Sequence, residues 1–350
     1  MSDRQLITYQ QSLDLDSTLY LDVRTPAEYK EATIPGAVNV PIFNNEERKK
    51  VGTVYTQESP AQARMLGVEL VAPKLTELLK EIKSLTQDYQ NTVIFCSRGG
   101  LRSESVLSFC DLIGLSNIFK LEGGYKTYRH FIMDKLENHS LNGQLLVIHG
   151  FTGSGKTDLL YKLKNQGLPI IDLEGLANHR GSAFGSIGLG EPTNQKYFDS
   201  LLWEKLKELT NAKLIAVEAE SKRIGMSVLP DFILEAMNNG THILLQRSIE
   251  ARVEQIYQEY SKSYQQNKTA FIERTLESIR AVKKYIIQKI GKDGYNQLVN
   301  YCQNGKLRKV IKILLTKYYD PMYKHSQQQH DDFSLIIQED NLNQVAAEII

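Results

Sequence analysis

Apolar positions along the chain follow two rhythms that take turns, and the exchange between them predicts an α/β architecture. Runs rich in β-branched and aliphatic residues at 18–23, 92–95 and 117–120 read as strands. At 73–84, Leu75, Leu78, Leu79 and Ile82 recur every three or four residues, as one buried face of a helix requires. Strands alternating with helices in this way make a mostly parallel sheet with helices packed on it. Residues 44–71 break the rhythm: the stretch opening Asn44-Asn45-Glu46-Glu47-Arg48-Lys49-Lys50 is polar, and suits an exposed loop and helix or a solvated connection.

A polar linker, Glu137-Asn138-His139-Ser140-Leu141-Asn142-Gly143, precedes a second alternating pattern. Strands are predicted at 144–149, 169–173, 213–218 and 242–246, with one helix running to Asn165 and others at 194–209 and 230–237. Phe198, Leu201, Leu202, Leu206 and Leu209 make the apolar stripe of the middle helix. A doubly wound parallel sheet follows. From Ile249 onward the pattern is helical: Ile279, Val282, Ile286 and Ile290 share one face, and Leu307, Val310, Ile311, Leu314, Leu315 and Tyr318 share another. A short strand at 333–337 and a helix from Leu342 end the chain. The expected organisation is an α/β domain at 1–137, a doubly wound domain at 144–248 and a mainly helical region at 249–350.

Composition narrows the class only slightly. With 41% hydrophobic and 24% charged residues in 350, the chain has the make-up of a globular protein of two or three domains. No apolar run is long enough to span a membrane and the amino end has no secretory core, so a cytoplasmic protein is expected. Three cysteines, Cys96, Cys110 and Cys302, are too dispersed for a disulfide framework or a metal site, and Cys110 falls on an apolar helix face. The net charge of +1 hides an asymmetry: residues 261–324 hold fourteen Lys or Arg against four Asp or Glu, a local +10 that leaves −9 for the remainder. Arg280, Lys283 and Lys284, then Arg308, Lys309 and Lys312, lie on the outward helix faces and are the candidate contacts to a polyanion. Seven tyrosines in the same segment (264, 285, 295, 301, 318, 319 and 323) can stack on unpaired bases or fill core.

Two stretches carry chemistry. Val93-Ile94-Phe95-Cys96-Ser97-Arg98-Gly99-Gly100-Leu101-Arg102-Ser103 reads as strand, tight loop and helix, with Cys96 at the mouth. Backbone N–H groups and the positive end of the helix dipole favour its thiolate. Gly99 and Gly100 let the backbone curl around an anion, while Arg98 and Arg102 add charge, so the loop suits an anionic group delivered to or carried on sulfur. The second stretch, Gly150-Phe151-Thr152-Gly153-Ser154-Gly155-Lys156-Thr157, is a complete Walker A between a strand and a helix. Its backbone, with Gly150, Gly153, Ser154 and Gly155, cradles phosphates; Lys156 reaches their oxygens and Thr157 can hold magnesium. Asp172 and Glu218 compete as the carboxylate of that magnesium site, and each can instead cap the next helix. His179-Arg180-Gly181-Ser182-Ala183-Phe184-Gly185 is a substrate-loop candidate through His179, Arg180 and Ser182, or a structural turn.

In order and spacing around Cys96, the segments Leu19-Tyr20-Leu21-Asp22-Val23-Arg24-Thr25-Pro26-Ala27-Glu28-Tyr29, Ile34-Pro35-Gly36-Ala37-Val38-Asn39-Val40-Pro41 and Leu121-Glu122-Gly123-Gly124-Tyr125-Lys126-Thr127-Tyr128 resemble the signatures of a rhodanese domain. The resemblance covers about the first 130 residues. Thr33 departs from it, standing where many rhodaneses have histidine. A rhodanese-like domain followed by a P-loop domain and a basic helical region, with Val217-Glu218-Ala219-Glu220-Ser221, Arg223-Ile224-Gly225 and Tyr318-Tyr319-Asp320-Pro321-Met322-Tyr323, resembles the bacterial tRNA 2-selenouridine synthases nearly end to end. That resemblance implies a transferase acting on the wobble 2-thiouridine of tRNA, bound through its anticodon arm. It alkylates sulfur with geranyl diphosphate, then replaces the geranylthio group with selenium from selenophosphate. Cys96 is then the catalytic residue, selenophosphate sits in the Arg98/Arg102 cradle, and no tightly bound cofactor is expected. The competing reading is an ATP- or GTP-dependent rhodanese-type sulfurtransferase acting on RNA. An RNA-binding regulator with a relic P-loop is disfavoured by the intact Lys156 and Thr157.

Overall fold

A computed structural model describes residues 6–182, 184–185, 187–265, 267–322 and 333–349. Ala183, Tyr323 and Lys324, which belong to stretches noted above, lie outside the described residues. The described residues form two compact units, the first running to Asn138 and including Asp199–Glu204, the second comprising the rest.

In the first unit, strands β1 (Leu6–Ile7), β2 (Thr18–Asp22), β3 (Val38–Asn39), β4 (Asn91–Phe95) and β5 (Ile118–Leu121) form one sheet in the order β1-β5-β4-β2-β3, every pair parallel. Its helices are α1 (Tyr9–Ser12), α2 (Pro26–Glu31), α3 (Asn45–Gln57), α4 (Pro60–Val71), α5 (Leu75–Thr86), α6 (Leu101–Leu112) and α7 (Gly124–Glu137). Leu19, Leu21, Ile82, Ile94 and Val106 build a core in which every one of them is almost wholly buried. The polar insert holds two helices, where the sequence reading left open an exposed loop and helix or a solvated connection. Asn44 caps α3 in a box with Glu47, and Ser59 caps α4 with Pro60 in its first turn. Local capping starts both, while α3 buries no residue, so neither displays the apolar stripe by which helices are read.

Asp22, wholly buried at the end of β2, organises the strand ends. It accepts from Nε and Nη2 of Arg24 at 2.9 and 2.6 Å, and from the Thr33 hydroxyl at 2.9 Å. Arg24 completes its surroundings over the ring of Tyr125, 4.1 Å from the centroid. Thr33 thus provides a hydrogen bond to the buried carboxylate at the position where the chain departs from the rhodanese pattern.

The second unit contains β6 (Gln144–His149), β7 (Ile170–Ile171), β8 (Leu214–Glu218), the hairpin β9 (Arg223–Ile224) and β10 (Ser227–Val228), β11 (Thr241–Gln246) and β12 (Leu335–Gln338). Its main sheet runs β12-β11-β6-β8-β7, all parallel, with β6 at the centre. Helices α8 (Lys156–Asn165), α9 (Leu173–Ala177), α10 (Gln195–Glu208, of which Asp199–Glu204 count with the first unit) and α11 (Asp231–Asn238) follow. The strand expected at 169–173 is cut short at Ile171, because Asp172 turns the chain and caps α9 by accepting from the Gly175 N–H. Then follow α12 (Ile249–Ser261), α13 (Lys268–Ala281), α14 (Lys283–Gln303, interrupted at Gly291), α15 (Leu307–Leu314) and a π-helical turn at Leu315–Tyr319. Helix α16 (Leu342–Ile349) ends the described chain.

The division expected at residue 249 is not where the sheet ends. β12 pairs in register with β11, and Val345 and Ala346 of α16 pack with Leu159, Leu160 and Leu163 of α8. Apolar side chains of the last strand and helix find their cover on the P-loop sheet, far back in sequence, while α12 to α15 surround a core of their own. No helix among the described residues is long and apolar enough to cross a membrane.

Replacing Arg24 by Ala strands the Asp22 carboxylate in the core, and breaking such a buried pair costs about 3–5 kcal/mol. Thr33→Val removes one hydrogen bond and costs about 1–3 kcal/mol. Denaturant unfolding followed by a probe in the first unit should rank wild type, Thr33→Val and Arg24→Ala in that order.

Candidate active site

Cys96 follows β4, in the middle of its sheet, and is only 3% exposed. The loop closes at once into α6, whose cap residue Gly100 provides no side-chain bond, so the first-turn N–H groups remain turned toward the loop. Burial works against ionisation of the thiol. The Ser103 hydroxyl at 3.2 Å, the N–H groups of Arg98 and Ser103 and the charge of Arg102 outweigh it, so the thiol titrates below its ordinary value. The segment Gly123-Gly124 braces this loop from below. Tyr125 and Lys126 donate backbone bonds to the carbonyls of Cys96 and Ser97 at 2.8 and 2.9 Å. A Cβ on Gly124, with φ +61°, would come within 2.4 Å of the Cys96 carbonyl and the Gly99 nitrogen.

The two arginines of the loop differ. Arg98 is exposed at its rim, whereas Arg102 is engaged by Glu28 of α2 in a two-pronged pair at 2.6 and 3.1 Å and by the Ser97 hydroxyl at 2.9 Å. Burial would raise the Glu28 carboxyl, but Arg102, Ser97 and the Thr25 N–H bring it down to about 2. Arg102 therefore holds the loop in shape while its charge is shared with a carboxylate. Glu28 and Ser103 went unassigned in the sequence; Glu28 lies within the segment that resembles rhodanese, but its partner is 74 residues away.

In the second unit, β6 leads into the phosphate loop and α8 leaves it. Gly153 and Gly155 take φ +78° and +81°, and a Cβ on Gly153 would lie 2.6 Å from Ile256 of α12. Gly150 likewise passes too near Leu245 and Ser154 to carry a side chain. The Ser154 hydroxyl is buried with no hydrogen-bond partner among the described residues. Two arginines hold the outer carbonyls of the loop. Arg252 donates Nε to Thr152 O at 3.0 Å and both terminal nitrogens to Asp320 at 3.0 and 2.6 Å; Arg247 reaches Ser154 O at 3.3 Å and Asp340 O at 2.9 Å. Neither was marked in the sequence, although Asp320 stands in the Tyr318-Tyr319-Asp320-Pro321 stretch.

Acidic groups gather beside Thr157: Glu218, which the sequence singled out with Asp172, and Glu174 and Glu220, which it did not. The Thr157 hydroxyl donates to Glu174 at 3.2 Å, and the Glu174 N–H donates to Glu218 at 2.8 Å. Burial, reinforced by Asp172, holds the Glu218 carboxyl well above the usual range. Burial also raises Glu220, Lys156 draws it back, and a hydrogen bond with Glu174 pushes it up to about 8. Asp172 spends its oxygens on the Gly175 N–H and the Tyr161 hydroxyl, both at 2.7 Å, which makes it the helix cap. No group of three or more His, Cys, Asp or Glu able to hold a metal ion occurs among the described residues.

The stretch from His179 lies against this cluster. A Cβ on Gly181 would come within 3.2 Å of Glu174 and Glu220, and one on Gly225, in the turn of the β9–β10 hairpin, would strike the His179 ring at 2.8 Å. Burial lowers the His179 imidazole pKa. Arg180 pairs with Glu259, donates to Ile187 O at 2.6 Å and lies over the Tyr260 ring at 4.6 Å. Ser182 faces a pocket shared with Thr152 of the phosphate loop and with Phe184, Ile187, Ile256, Tyr260, Phe271 and residues of α15. The pocket is narrow, with a cavity volume of about 40 Å³, and its walls are almost wholly apolar.

Residues 143–349 match the profile described as tRNA 2-selenouridine synthase AAA domain, and residues 7–130 match the rhodanese-like domain. Relatives named tRNA 2-selenouridine synthase include one from Sulfurovum sp., 33% identical with 90% of each chain covered, and one from Shewanella pealeana, 33% identical with 87% of each covered. Another, from Pseudomonas syringae pv. syringae, is 32% identical, with 91% of this chain and 90% of the relative covered. The chain belongs to the tRNA 2-selenouridine synthase family.

In this member of the tRNA 2-selenouridine synthase family the six basic candidates part into two groups. Arg280, Lys283 and Lys284 are at least partly exposed around the start of α14, beside Tyr285, which is 59% exposed. On α15, Arg308 pairs with Glu254 at 2.7 Å and Lys312 with Glu250 at 2.8 Å, while Lys309 is exposed. Both acids come from α12, outside the segment whose charges were counted, so that face is more neutral than its own sequence suggests. Of the tyrosines, Tyr295, Tyr318 and Tyr319 are buried in the helical core and Tyr264 stacks on Phe271.

Burial lifts Cys110 to about 12, with help from Asp111, and Cys302 to about 11. Near neutral pH a small alkylating reagent should therefore modify Cys96 alone, as peptide mass spectrometry would register. Ser103→Ala removes the hydroxyl that favours the thiolate, so the midpoint of the rate-against-pH curve should move to higher pH; an unmoved midpoint would contradict the assignment.

Proposed function

We propose that the protein synthesises 2-selenouridine in tRNA in two steps, geranylation of 2-thiouridine and replacement of the geranylthio group by selenium. In the first step the sulfur attacks the allylic carbon of geranyl diphosphate, the carbon–oxygen bond breaks and diphosphate departs. The uracil N3 proton is released as the ring becomes an S-alkyl derivative. In the second, the selenium of selenophosphate adds to C2, the carbon–sulfur bond breaks and geranylthiol leaves, and water cleaves the selenium–phosphorus bond to release phosphate; Cys96 is the catalytic residue of the loop where selenium is handled.

The observation that carries this reading is that Thr152 of the phosphate loop also lines an apolar pocket. A nucleotide would require polar partners for its base and ribose, whereas the walls beyond Thr152 and Ser182 are chiefly aliphatic and aromatic. A prenyl diphosphate has the matching polarity, phosphates at one end and hydrocarbon at the other. The N–H groups of the loop and Lys156 would stabilise the departing diphosphate. Thr157 and Glu174 are the neighbouring oxygen donors that would hold magnesium, whose charge would assist that departure. At the other loop, exposed Arg98 and the helix terminus would receive selenophosphate.

Lys156→Ala should lower alkylation of 2-thiouridine by about 10²–10³, the usual loss on removing one such stabilising group. The same variant, given geranylated tRNA and selenophosphate without nucleotide, should form selenouridine at the wild-type rate. Failure on both substrates, with wild-type turnover dependent on ATP, would support an ATP-driven sulfurtransferase instead. Nucleoside mass spectrometry reads both outcomes.

We assign tRNA binding to the exposed base of α14. Changing Arg280, Lys283 and Lys284 to Gln should flatten the dependence of log affinity on log salt, by about 0.7–0.9 for each phosphate that is no longer neutralised. Changing Arg308 and Lys312 should flatten it less, because Glu254 and Glu250 already offset them. Equal slopes for wild type and the triple variant, measured by filter binding, would place the RNA elsewhere.

A further inference from the structure

The apolar pocket has a near end and a far end, and two helices agree on which is which. Along α12, Arg252 and Ile256 touch the phosphate loop, Tyr260 follows one turn later, and Tyr264 just beyond the helix stacks on Phe271 of α13 at 5.3 Å between centroids. Along α15 and the π-helical turn, Tyr319 adjoins Asp320, which is bonded to Arg252, while Leu307 lies at the opposite terminus. Ile272, next to Phe271, approaches Cys302 and Gly305 immediately before that terminus. Twelve residues of helix separate the two ends on either count, roughly 18 Å at 1.5 Å per residue. Phe271, Thr275 and Leu307 therefore line the pocket at the end away from the phosphates.

Resting on the prenyl diphosphate reading of this site, we propose that Phe271 and Thr275 are its floor and set the length of the prenyl chain the protein transfers. A chain that enters the pocket at its Thr152 end runs along α12, and its tip meets the Phe271 ring. Phe271 is 5% exposed and held by its stack on Tyr264, and the Thr275 hydroxyl bonds back to Phe271 O at 2.7 Å, so neither side chain gives way freely. The floor acts on selection and leaves the transferring atoms untouched: sulfur attacks the allylic carbon and diphosphate leaves, whatever follows along the chain.

The test offers the full-length protein a 2-thiouridine-containing tRNA with equal concentrations of dimethylallyl, geranyl and farnesyl diphosphate, and quantifies the S-prenyl nucleosides by mass spectrometry. Wild type should give mainly the geranyl product. Phe271→Ala deepens the pocket and should raise the farnesyl-to-geranyl ratio by about tenfold or more, the discrimination typical of hydrophobic pockets. Thr275→Leu fills it and should raise the dimethylallyl-to-geranyl ratio while total turnover falls. Phe271→Leu, a milder truncation, carries the same expectation should the alanine variant fail to fold. Active variants whose product ratios match wild type would overturn the floor assignment. A wild-type protein that prenylates with none of the three would instead overturn the reading of the site on which the floor depends.

Discussion

Arg252 is the residue on which the second unit turns. Its guanidinium is almost fully buried, and burying such a charge is costly unless a partner and hydrogen bonds surround it. Asp320 supplies the partner through two bonds, the Thr152 carbonyl accepts from Nε, and the ring of Phe151 lies 5.2 Å from the cation. One side chain on α12 thus ties the backbone of the phosphate loop to the end of the π-helical turn. The loop can place its amide groups for an anion because its carbonyls are held from behind. Where this clamp closes, the wall of the apolar pocket begins, so the loop and the pocket share a support.

The two units solve the same electrostatic problem with the same backbone device. In each, a central parallel strand ends in a glycine-containing loop, and a helix without a side-chain cap presents its amino terminus. What differs is the group placed inside. At Cys96 a buried thiol needs those N–H groups and the Ser103 hydroxyl to lose its proton, so the terminus stabilises a charge the protein itself carries. At Lys156 the loop is followed by carboxyls behind Thr157, where burial raises Glu218 and Glu220 and the hydrogen bond with Glu174 adds to the rise at Glu220. The cysteine loop and the Walker A loop thus share one local architecture.

The pocket has no such compact signature. Its lining comes from the loop after His179, from α12 and α13 and from α15 with the turn behind it, and each contributes a few apolar residues that look like ordinary helix core. The π-helical turn continues α15, and Leu315 and Tyr319 line the pocket beside Leu314. Tyrosines that could have been a surface for bases are mostly committed to this core, and Tyr285 remains as the strongly exposed one among those described.

Taken alone, the residue pattern determined what is set by neighbours in the chain. Alternation of strands and helices, both anion loops, the glycines that need positive φ and the capping of individual helices are decided within about a dozen residues, where backbone sterics and local hydrogen bonds act. The same reasoning shows why the strand at 169–173 was overextended: Asp172 could be a ligand or a cap, and only the positions of Gly175 and Tyr161 decide. Tertiary structure decided every pairing across the chain. Arg102 meets Glu28 at a separation of 74 residues, Arg252 meets Thr152 at 100 and Asp320 at 68, and β12 joins a sheet begun at β6. A lone arginine or glutamate reads as a solvated charge until packing buries it, because the cost of removing it from water is what selects its partner, and that cost arises only when distant segments close around it.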